Sequence, residues 1–330
     1  MPASTESGAP LLRVDDLWIR HGGGVPLVES LTLSVRRGET VGLVGESGCG
    51  KSLTALAIMG LLAANLNATQ GSIALEETEL RGIAPDALRR MRGERMAMIF
   101  QEPLTALNPV MTIGAQVVEI IRAHTDMSGS QARQRALQLL EMVRIPDAAS
   151  RFHDYPHRLS GGMRQRVVIA IAIACNPSLL IADEPTTALD VTVQAQILQL
   201  LKRLQREGDL GMLLITHDLG VVRQVADRIV VMYAGAVVEE GPVDEVLDRP
   251  RHPYTAGLLA ARPHGSFAAT GHRLADIAGS VPAPEARPAG CVFEPRCASA
   301  RAECRASRPP LGPDGGTRML RCYYPVGEAH

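Results

Sequence analysis

The sequence predicts an α/β protein whose core is a mostly parallel β-sheet covered by helices on both sides. Short apolar runs typical of buried strands recur at residues 41–44, 179–182, 212–215 and 229–233, and helical patterns lie between several of them. A glycine-rich stretch, residues 45–52, stands directly between the first of these strands and a helix, which is where such sheets bind anions. These observations together predict the fold class.

The N-terminal part of the chain is predicted to be rich in β-structure. Apolar residues alternate in part over 12–19 and alternate cleanly over 31–35, before a turn at Arg37-Gly38. Residues 1–10 are small and polar and lack the basic start and apolar segment of a signal peptide, so they are predicted to form a disordered tail.

Helical patterns dominate the middle of the chain. An apolar helix is predicted at residues 52–62, and residues 86–158 contain several more, one of them with Ser130 as its N-cap. A longer helix carries apolar residues at 193, 197, 200 and 204 on one face and is predicted to end at Gly208. From Arg249 the composition shifts to Pro, Ala and Arg, which is typical of an extended linker.

The charge balance argues against a general attraction to nucleic acid or to anionic membranes, since 34 basic and 35 acidic residues leave a net charge of −1. An apolar fraction of 46% supports a sizeable aliphatic core. The longest apolar run, residues 167–175, stops at Asn176-Pro177 and is shorter than the roughly 18 residues of a membrane span. We therefore expect a soluble, cytosolic chain that binds no nucleic acid.

Residues 45–52 read Gly-Glu-Ser-Gly-Cys-Gly-Lys-Ser and fit the phosphate-loop pattern at every fixed position. Glycines let successive backbone amides point at phosphates, and the N-terminus of the following helix favours an anion. We predict that Lys51 reaches the β- and γ-phosphates of a nucleotide and that the Ser52 hydroxyl coordinates Mg²⁺. The rest of the phosphate cradle is predicted to be Gly45, Ser47, Gly48, Cys49 and Gly50, with no chemistry assigned to the Cys49 thiol.

Two acidic residues follow the apolar strand at 179–182. Asp183 stands at the strand end, where a carboxylate meets Mg²⁺ directly or through water, and Glu184 is predicted to polarise the attacking water. Upstream, residues 159–166 contain a Ser-Gly-Gly turn that opens a helix. Its Ser160, Gly161 and Gly162 offer a second set of donors to a nucleotide.

With these motifs in this order, the chain resembles the ATPase subunit of an ABC transporter over about residues 11–250. The resemblance implies the ABC-type nucleotide-binding domain of P-loop NTPases, with a mixed sheet core, a β-rich N-terminal subdomain and a helical subdomain at about 86–165. It also implies ATP and Mg²⁺ as ligands.

Three more residues match motifs of that family. Gln101 resembles the Q-loop glutamine, which touches Mg²⁺ and reports to the membrane subunits. Asp190 ends a stretch similar to the D-loop, and His217 resembles the switch histidine that contacts the γ-phosphate. The resemblance therefore implies Glu184, His217 and Gln101 as the catalytic residues.

One position departs from the family pattern. The family usually stacks adenine on an aromatic residue upstream of the phosphate loop, and the counterpart here is His21. Trp18 lies nearby, but strand alternation places it on the opposite face from residue 21, so Trp18 is interpreted as a packing residue.

Residues 180–196 and the sequence His-Pro-Tyr-Thr at 252–255 are closely similar to the ATPase subunits of oligopeptide and dipeptide importers. Related nickel and glutathione importers share parts of the pattern and remain alternatives. A more distant alternative is a soluble ABC ATPase acting on nucleic acid or ribosomes, but tandem ATPase domains, coiled-coil insertions and basic patches are absent from the sequence. A degenerate, non-hydrolytic subunit is disfavoured by Glu184 and His217.

The resemblance also implies an assembly. It predicts a second ABC ATPase subunit, with a heterodimer favoured, two transmembrane permease subunits and an extracytoplasmic substrate-binding protein. The chain would lie peripherally at the cytoplasmic face of the inner or plasma membrane. In that family Ser160 and its neighbouring amides cap the γ-phosphate of the ATP bound to the partner's loop.

Four cysteines crowd the predicted C-terminal extension at 251–330: Cys291, Cys297, Cys304 and Cys322. Their spacing, C-x5-C-x6-C-x17-C, lacks the close pairs typical of zinc ribbons. Four thiolates match the ligand count of a 4Fe–4S cluster, and the peptide-importer family places such a cluster in this extension. Zinc, disulfide bonds and metal-free thiols remain alternatives.

Overall fold

The computed structural model of the chain describes residues 9–22, 24–187, 189–261 and 277–327, with the side chains of Pro103 and Leu104 left out. Most of the predicted N-terminal tail and part of the predicted linker therefore lie outside the described residues. The strands within these ranges are β1 Leu12–His21, β2 Pro26–Val35, β3 Thr40–Val44, β4 Leu66–Leu75, β5 Thr78–Glu79, β6 Met96–Ile99, β7 Leu179–Asp183, β8 Gly211–Thr216, β9 Arg228–Tyr233, β10 Ala236–Pro242, β11 Gly312–Pro313 and β12 Met319–Leu320.

Helices separate most of these strands. In chain order they are α1 Lys51–Met59, α2 Pro85–Glu94, α3 Pro103–Ala106, α4 Ile113–His124, α5 Gly129–Met142, α6 Ala148–Arg151, α7 Gly161–Ala172, α8 Val191–Gly208, α9 Leu219–Val225, α10 Val243–Asp248, α11 Pro253–Ala260 and α12 Ala302–Ala306. Short 3₁₀ turns occur at Pro156–Arg158, Pro284–Ala286 and Glu294–Arg296. Among the described helices, none combines the length and the apolar character that crossing a membrane requires.

The chain divides into two compact units, each made of several segments. The first contains the N-terminal residues as far as Arg13, Ser34–Thr40 and Ala74–Ile215. The second contains Val14–Leu33, Val41–Ile73 and Thr216–His330. The residues that follow position 250 therefore belong to the same compact unit as the glycine-rich loop.

Parallel strands form the centre of the first unit. β7 pairs with β6 on one side and with β8 on the other, and both pairings are parallel. All residues of β6 and β7 are buried, as expected for strands covered on both faces. Helices α2 to α8 belong to this unit, and residues 86–165, predicted as a helical subdomain, contain most of α2, strand β6, helices α3 to α6 and the start of α7.

The sheet of the second unit mixes both strand directions. β3 pairs in parallel with β9, whereas β10 pairs antiparallel with β9 and with β12. The α/β prediction with a mixed sheet is confirmed. Because Glu239 of β10 lies opposite Leu320 of β12, the end of the cysteine-rich segment extends this sheet.

The start of α5 differs from the prediction, whereas the end of α8 at Gly208 agrees with it. Ser128, not Ser130, is the N-cap of α5, because its hydroxyl accepts from the Gln131 amide while the Gln131 side chain accepts from the Ser128 amide. This reciprocal pair is a capping box. At the end of α8, Gly208 is the last helical residue and Asp209 takes the left-handed conformation, with φ 50°.

The partial alternation in β1 has a local cause. Asp16 has φ 47°, and the buried positions change from residues 12 and 14 before it to residues 17 and 19 after it. A bulge of this kind shifts the side-chain alternation by one residue. Gly71 accompanies it, since a Cβ there would lie 2.3 Å from the Asp16 carbonyl oxygen.

A buried histidine fixes the start of α11 in the second unit. His252 is 1% exposed, and its Nδ1 accepts a hydrogen bond of 3.0 Å from the backbone N–H of Tyr254. Burial lowers the pKa of His252 to about 3, so the imidazole stays neutral in the folded protein.

This histidine should make the folded state sensitive to acid. The unfolded chain takes up a proton near the ordinary histidine pKa while the folded chain does not, so the free energy of unfolding falls as the pH drops below about 6.5. Between pH 7 and 5 we expect His252 to account for a loss of about 2 kcal/mol. His252→Asn keeps an N-cap acceptor but cannot titrate. Denaturant unfolding of the parent and of His252→Asn at pH 7 and pH 5 measures the free energy of unfolding. An equal loss of this free energy in the two proteins would contradict the expectation.

Candidate nucleotide site and cysteine cavity

The glycine-rich loop of the second unit is fixed at both ends. β3 ends at Val44 and α1 begins at Lys51, so only six residues connect strand and helix. A Cβ on Gly45 would lie 2.2 Å from the Met232 carbonyl oxygen, which excludes any side chain there. Gly50 has φ 104°, a conformation that favours glycine. The loop geometry therefore depends on these glycines.

Lys51 lies inside the curve of this loop. Its side chain is buried, and Nζ donates to the carbonyl oxygens of Gly45 at 2.8 Å and of Glu46 at 3.1 Å. Cys49 is fully buried, and desolvation raises the pKa of its thiol despite the nearby Lys51 ammonium. Ser52 is exposed on the first turn of α1. The structure thus holds a cation and a helix N-terminus at one anion-binding loop.

Contacts at Glu46 were not foreseen from the sequence. Its backbone N–H donates to the Tyr254 hydroxyl at 2.9 Å, and its carboxylate pairs with Arg296 at 2.7 Å. The motif at 252–255 signalled a family resemblance, but nothing in its local pattern indicated a contact with the loop. These residues become candidates for positioning the phosphate cradle.

In the first unit, the structure brings Gln101 and Glu184 together. Gln101 Nε2 donates to Glu184 Oε2 at 3.1 Å, and the Thr187 hydroxyl donates to the same oxygen at 2.8 Å. The Glu184 amide donates to the Ile215 carbonyl at 2.9 Å, and Glu184 adopts φ 46°. Asp183 precedes it as the buried last residue of β7. The Glu184 carboxylate is therefore held in one orientation directly after the strand.

The Ser-Gly-Gly turn of the first unit opens α7. Ser160 is the exposed N-cap residue and accepts from the Met163 amide at 3.4 Å. Gly162 lies against Val193, where a Cβ would approach to 2.5 Å. Asp190 caps α8 by accepting from the Val193 amide at 2.9 Å. The turn exposes a serine hydroxyl and a helix N-terminus, a combination that suits a phosphate.

His217 and His21 are both exposed residues of the second unit. His217 follows β8 and precedes α9, whose N-cap is Asp218. His21 is the last residue of β1, and its Nε2 lies 3.1 Å from Asn65 Nδ2. Trp18 is half-buried beneath the Arg20 guanidinium, 5.3 Å from the ring centre.

The four C-terminal cysteines line one small cavity, together with His252 and Phe293. All four are free thiols. Burial raises the pKa of the Cys291, Cys297 and Cys322 thiols, that of Cys322 to about 12, and the neighbouring cysteines add to each shift. Each of these three sulfurs also accepts a hydrogen bond from the backbone two residues on, at Phe293, Ser299 and Tyr324.

This cavity fits a metal group only in part. The donor type, the number of thiols and the backbone hydrogen bonds to sulfur suit an iron–sulfur cluster. However, within the described residues no three His, Cys, Asp or Glu side chains are close enough together to hold a metal ion. The predicted ligands are therefore neighbours around one cavity but do not form a preorganised coordination site.

Comparison with known proteins assigns both parts of the chain. Residues 28–187 match the family described as ABC transporter, and residues 238–304 match the oligopeptide/dipeptide transporter C-terminal region. The chain is 49% identical to the oligopeptide transport ATP-binding protein AppD of Bacillus subtilis, over 95% of this chain and 96% of that protein. It is 48% identical to the dipeptide transport ATP-binding protein DppD of Escherichia coli, over 97% and 98%.

Solved structures agree with these matches. The ATP-binding cassette MJ0796, in a dimeric post-hydrolysis state bound to ADP and Pi, is 30% identical with a TM-score of 0.62, over 70% of this chain and 98% of that chain. Clostridium perfringens cbiO1, part of an ABC transporter complex, is 25% identical with a TM-score of 0.65, over 73% and 92%. The resemblance predicted from the motifs is confirmed: this protein belongs to the ATP-binding subunits of ABC transporters, in the family that carries the oligopeptide/dipeptide transporter C-terminal region.

Proposed function

We propose that this protein binds and hydrolyses ATP in a sandwich dimer and so powers the uptake of oligopeptides or dipeptides through separate membrane subunits. The observation that carries the proposal is the match to the oligopeptide/dipeptide C-terminal region in a chain that also contains every ATPase motif in order. The relatives at 48% and 49% identity, which are named as dipeptide and oligopeptide transport proteins, favour peptides over nickel or glutathione.

The phosphate loop is proposed to hold the triphosphate of ATP. Lys51 leaves its own loop carbonyls and donates to the β- and γ-phosphates, and the backbone of residues 45–50 surrounds them. Ser52, Gln101 and Asp183 are the proposed ligands of Mg²⁺, which neutralises charge on the phosphates when bound. The His21 ring is proposed to stack on adenine.

Glu184 is proposed to act as the general base. Its carboxylate accepts a proton from the attacking water as the water oxygen bonds to the γ-phosphorus and the bond to ADP breaks. The hydrogen bonds from Gln101 and Thr187 to one of its oxygens support this role, because they fix the orientation of the carboxylate. His217 is proposed to contact the γ-phosphate.

The Ser-Gly-Gly turn is proposed to act on the partner's nucleotide. The γ-phosphate held by the other subunit's loop would be capped by Ser160, Gly161 and Gly162. Asp190, in the stretch similar to the D-loop, is proposed as a further ATP-binding residue. The exposure of Ser160 at the start of α7 supports a role toward another chain. A single subunit would then be an incomplete enzyme.

The partners follow from the same proposal. They are a second, homologous ATPase subunit, two transmembrane permeases and an extracytoplasmic binding protein, with this chain peripheral at the cytoplasmic membrane face. Identifying the chains that co-purify from membranes tests this assembly. Recovery of ribosomal proteins or nucleic acid instead of permeases would favour the soluble-ATPase alternative.

We also propose that the cysteine cavity binds a 4Fe–4S cluster with a structural role. The support is the four free thiols around one cavity and the backbone hydrogen bonds to three of the sulfurs. The cysteines would draw together on binding, and the cluster would add to the folding energy of a segment rich in proline.

Glu184→Gln should retain ATP binding and accumulate an ATP-bound dimer, because the amide cannot accept the proton. Hydrolysis is expected to fall on the order of 10³-fold, about 4 kcal/mol of barrier. Phosphate release and size-exclusion chromatography with ATP measure the two effects. Lys51→Ala is the control, since it should weaken nucleotide binding itself. A Glu184→Gln protein within twofold of the parent rate would exclude the assignment.

Ser160→Arg should leave nucleotide binding at its own loop intact and abolish hydrolysis at the opposite site. In a dimer of two such subunits, Ser160→Arg and Lys51→Ala can be placed on one chain or on different chains. If the turn serves the partner's loop, lesions on different chains fall in one composite site and leave the other site active, whereas both lesions on one chain disable both sites. Equal or greater hydrolysis with both lesions on one chain would contradict action on the partner's loop.

Protein purified without oxygen is expected to be brown and to contain about four irons per chain. Cys304→Ser should lose iron and lower the thermal stability of the whole protein. Cys175→Ser is a matched control, because Cys175 lies outside the cavity. Colourless protein with stoichiometric zinc would support the zinc alternative, and metal-free protein of full activity would exclude both.

A further inference from the structure

One residue of the phosphate loop joins it to the C-terminal segment by two separate contacts, both inside the second unit. The Glu46 amide donates to the Tyr254 hydroxyl at 2.9 Å. The Glu46 carboxylate binds the Arg296 guanidinium through two bonds, Nη1 to Oε2 at 2.7 Å and Nη2 to Oε1 at 3.2 Å. Bidentate pairing of this kind fixes geometry as well as charge.

Arg296 is itself held rigidly. Its side chain is 5% exposed, and it also donates to the backbone carbonyls of Ile277 and Ala278, both at 3.0 Å. A further contact of 3.4 Å reaches the Tyr233 hydroxyl. The Glu46 carboxylate raises the pKa of Arg296 above its ordinary value, so the guanidinium remains charged. Arg296 therefore acts as a fixed positive charge beside Glu46 of the phosphate loop.

Tyr254 is equally constrained. It is fully buried and packs against Tyr233 and Phe293, with ring centres 4.7 and 5.4 Å away. Burial raises the pKa of its hydroxyl, which stays neutral and accepts from the loop. The position of the Glu46 amide is thus set by an aromatic cluster in the unit's core.

The Glu46 contacts continue to the lysine of the loop. The Glu46 carbonyl accepts from Lys51 Nζ at 3.1 Å and from the Cys49 amide at 3.3 Å. A displacement of Glu46 would therefore move both a loop amide and the lysine ammonium. The carboxylate also matters by its charge, since a carboxylate in this loop repels a triphosphate unless a cation neutralises it.

We propose that Arg296 and Tyr254 are positioning residues of the ATP site: through Glu46 they fix the phosphate loop, and Arg296 cancels the carboxylate charge that would oppose ATP. The inference rests on the proposed function, in which this loop holds the triphosphate. It extends that function by making the C-terminal segment a determinant of nucleotide affinity. Arg296 stands immediately before Cys297, so the affinity is set from the border of the cysteine cavity.

Two combined substitutions separate the effect of the Arg296 charge on nucleotide binding from an effect on folding. Arg296→Met should raise the Kd for Mg-ADP and the KM for ATP on the order of tenfold, with kcat within about twofold, because the free carboxylate opposes the phosphates in every bound state. Adding Glu46→Gln should restore most of the lost affinity, since the repelling charge is gone. If the ion pair between Arg296 and Glu46 served only the fold, Arg296→Met would lower the stability and the fraction of active protein, and Glu46→Gln would not restore the affinity.

Isothermal titration calorimetry with Mg-ADP on the full chain gives Kd, and steady-state phosphate release gives KM and kcat. Arg305→Met is the matched control: Arg305 lies in the same segment and pairs at 2.8 Å with Glu294 rather than with Glu46, so its variant should bind like the parent. Parent-like Mg-ADP affinity in Arg296→Met, or no recovery in the double variant, would overturn the proposal.

Two conservative variants keep the test valid if Arg296→Met does not fold. Arg296→Lys retains the charge but not the bidentate bond and should lose less affinity than the methionine variant. Tyr254→Phe removes only the hydroxyl that accepts a hydrogen bond from the Glu46 amide, and it should weaken Mg-ADP binding several-fold. Parent-like affinity in both would exclude the inference. A parent protein that binds no Mg-ADP would instead refute the proposed function.

Discussion

A short loop that must present backbone amides to an anion is the constraint on which the rest of this structure depends. Six residues connect the end of β3 to the start of α1, and Gly45 lies against the Met232 carbonyl with no space for a side chain. Lys51 is buried within the loop and bonds to its carbonyls. Such a loop works only when both ends are rigid, and here the buried strand β3 holds one end and helix α1 the other.

The C-terminal segment contributes to that rigidity because it is built into the same unit. β12 extends the sheet by pairing with β10, and buried charges tie the segment to the N-terminal strands. Arg287 and Arg308 both pair with Glu29 of β2, whose side chain is 10% exposed. Removing Glu29 would take this carboxylate from both guanidiniums, and the Arg287 side chain is buried, so these pairs fix the segment's position more than they add net stability.

The ATPase motifs were more predictable from the sequence than the structural features that hold them in place. Each ATPase motif lies next to the end of a strand or the start of a helix, so its residue types and spacing are readable locally, and Glu184 does lie beside Gln101. The start of α5 was less predictable: Ser128 and Gln131 have the spacing of a capping box, but Ser130 is an equally suitable N-cap residue by type. The bulge at Asp16 also left no clear signal beyond the imperfect alternation of β1.

The sequence by itself determined the fold class, the ATPase motifs and the family, because periodicity and short motifs depend only on neighbouring residues. The tertiary structure alone decided which distant residues support the loop. Tyr254 and Arg296 lie 208 and 250 positions from Glu46, and no periodic pattern connects positions so far apart. It likewise placed the four cysteines around one cavity without bringing any three of the described ligand-type side chains into a metal site, since spacing along the chain does not fix distances between sulfurs.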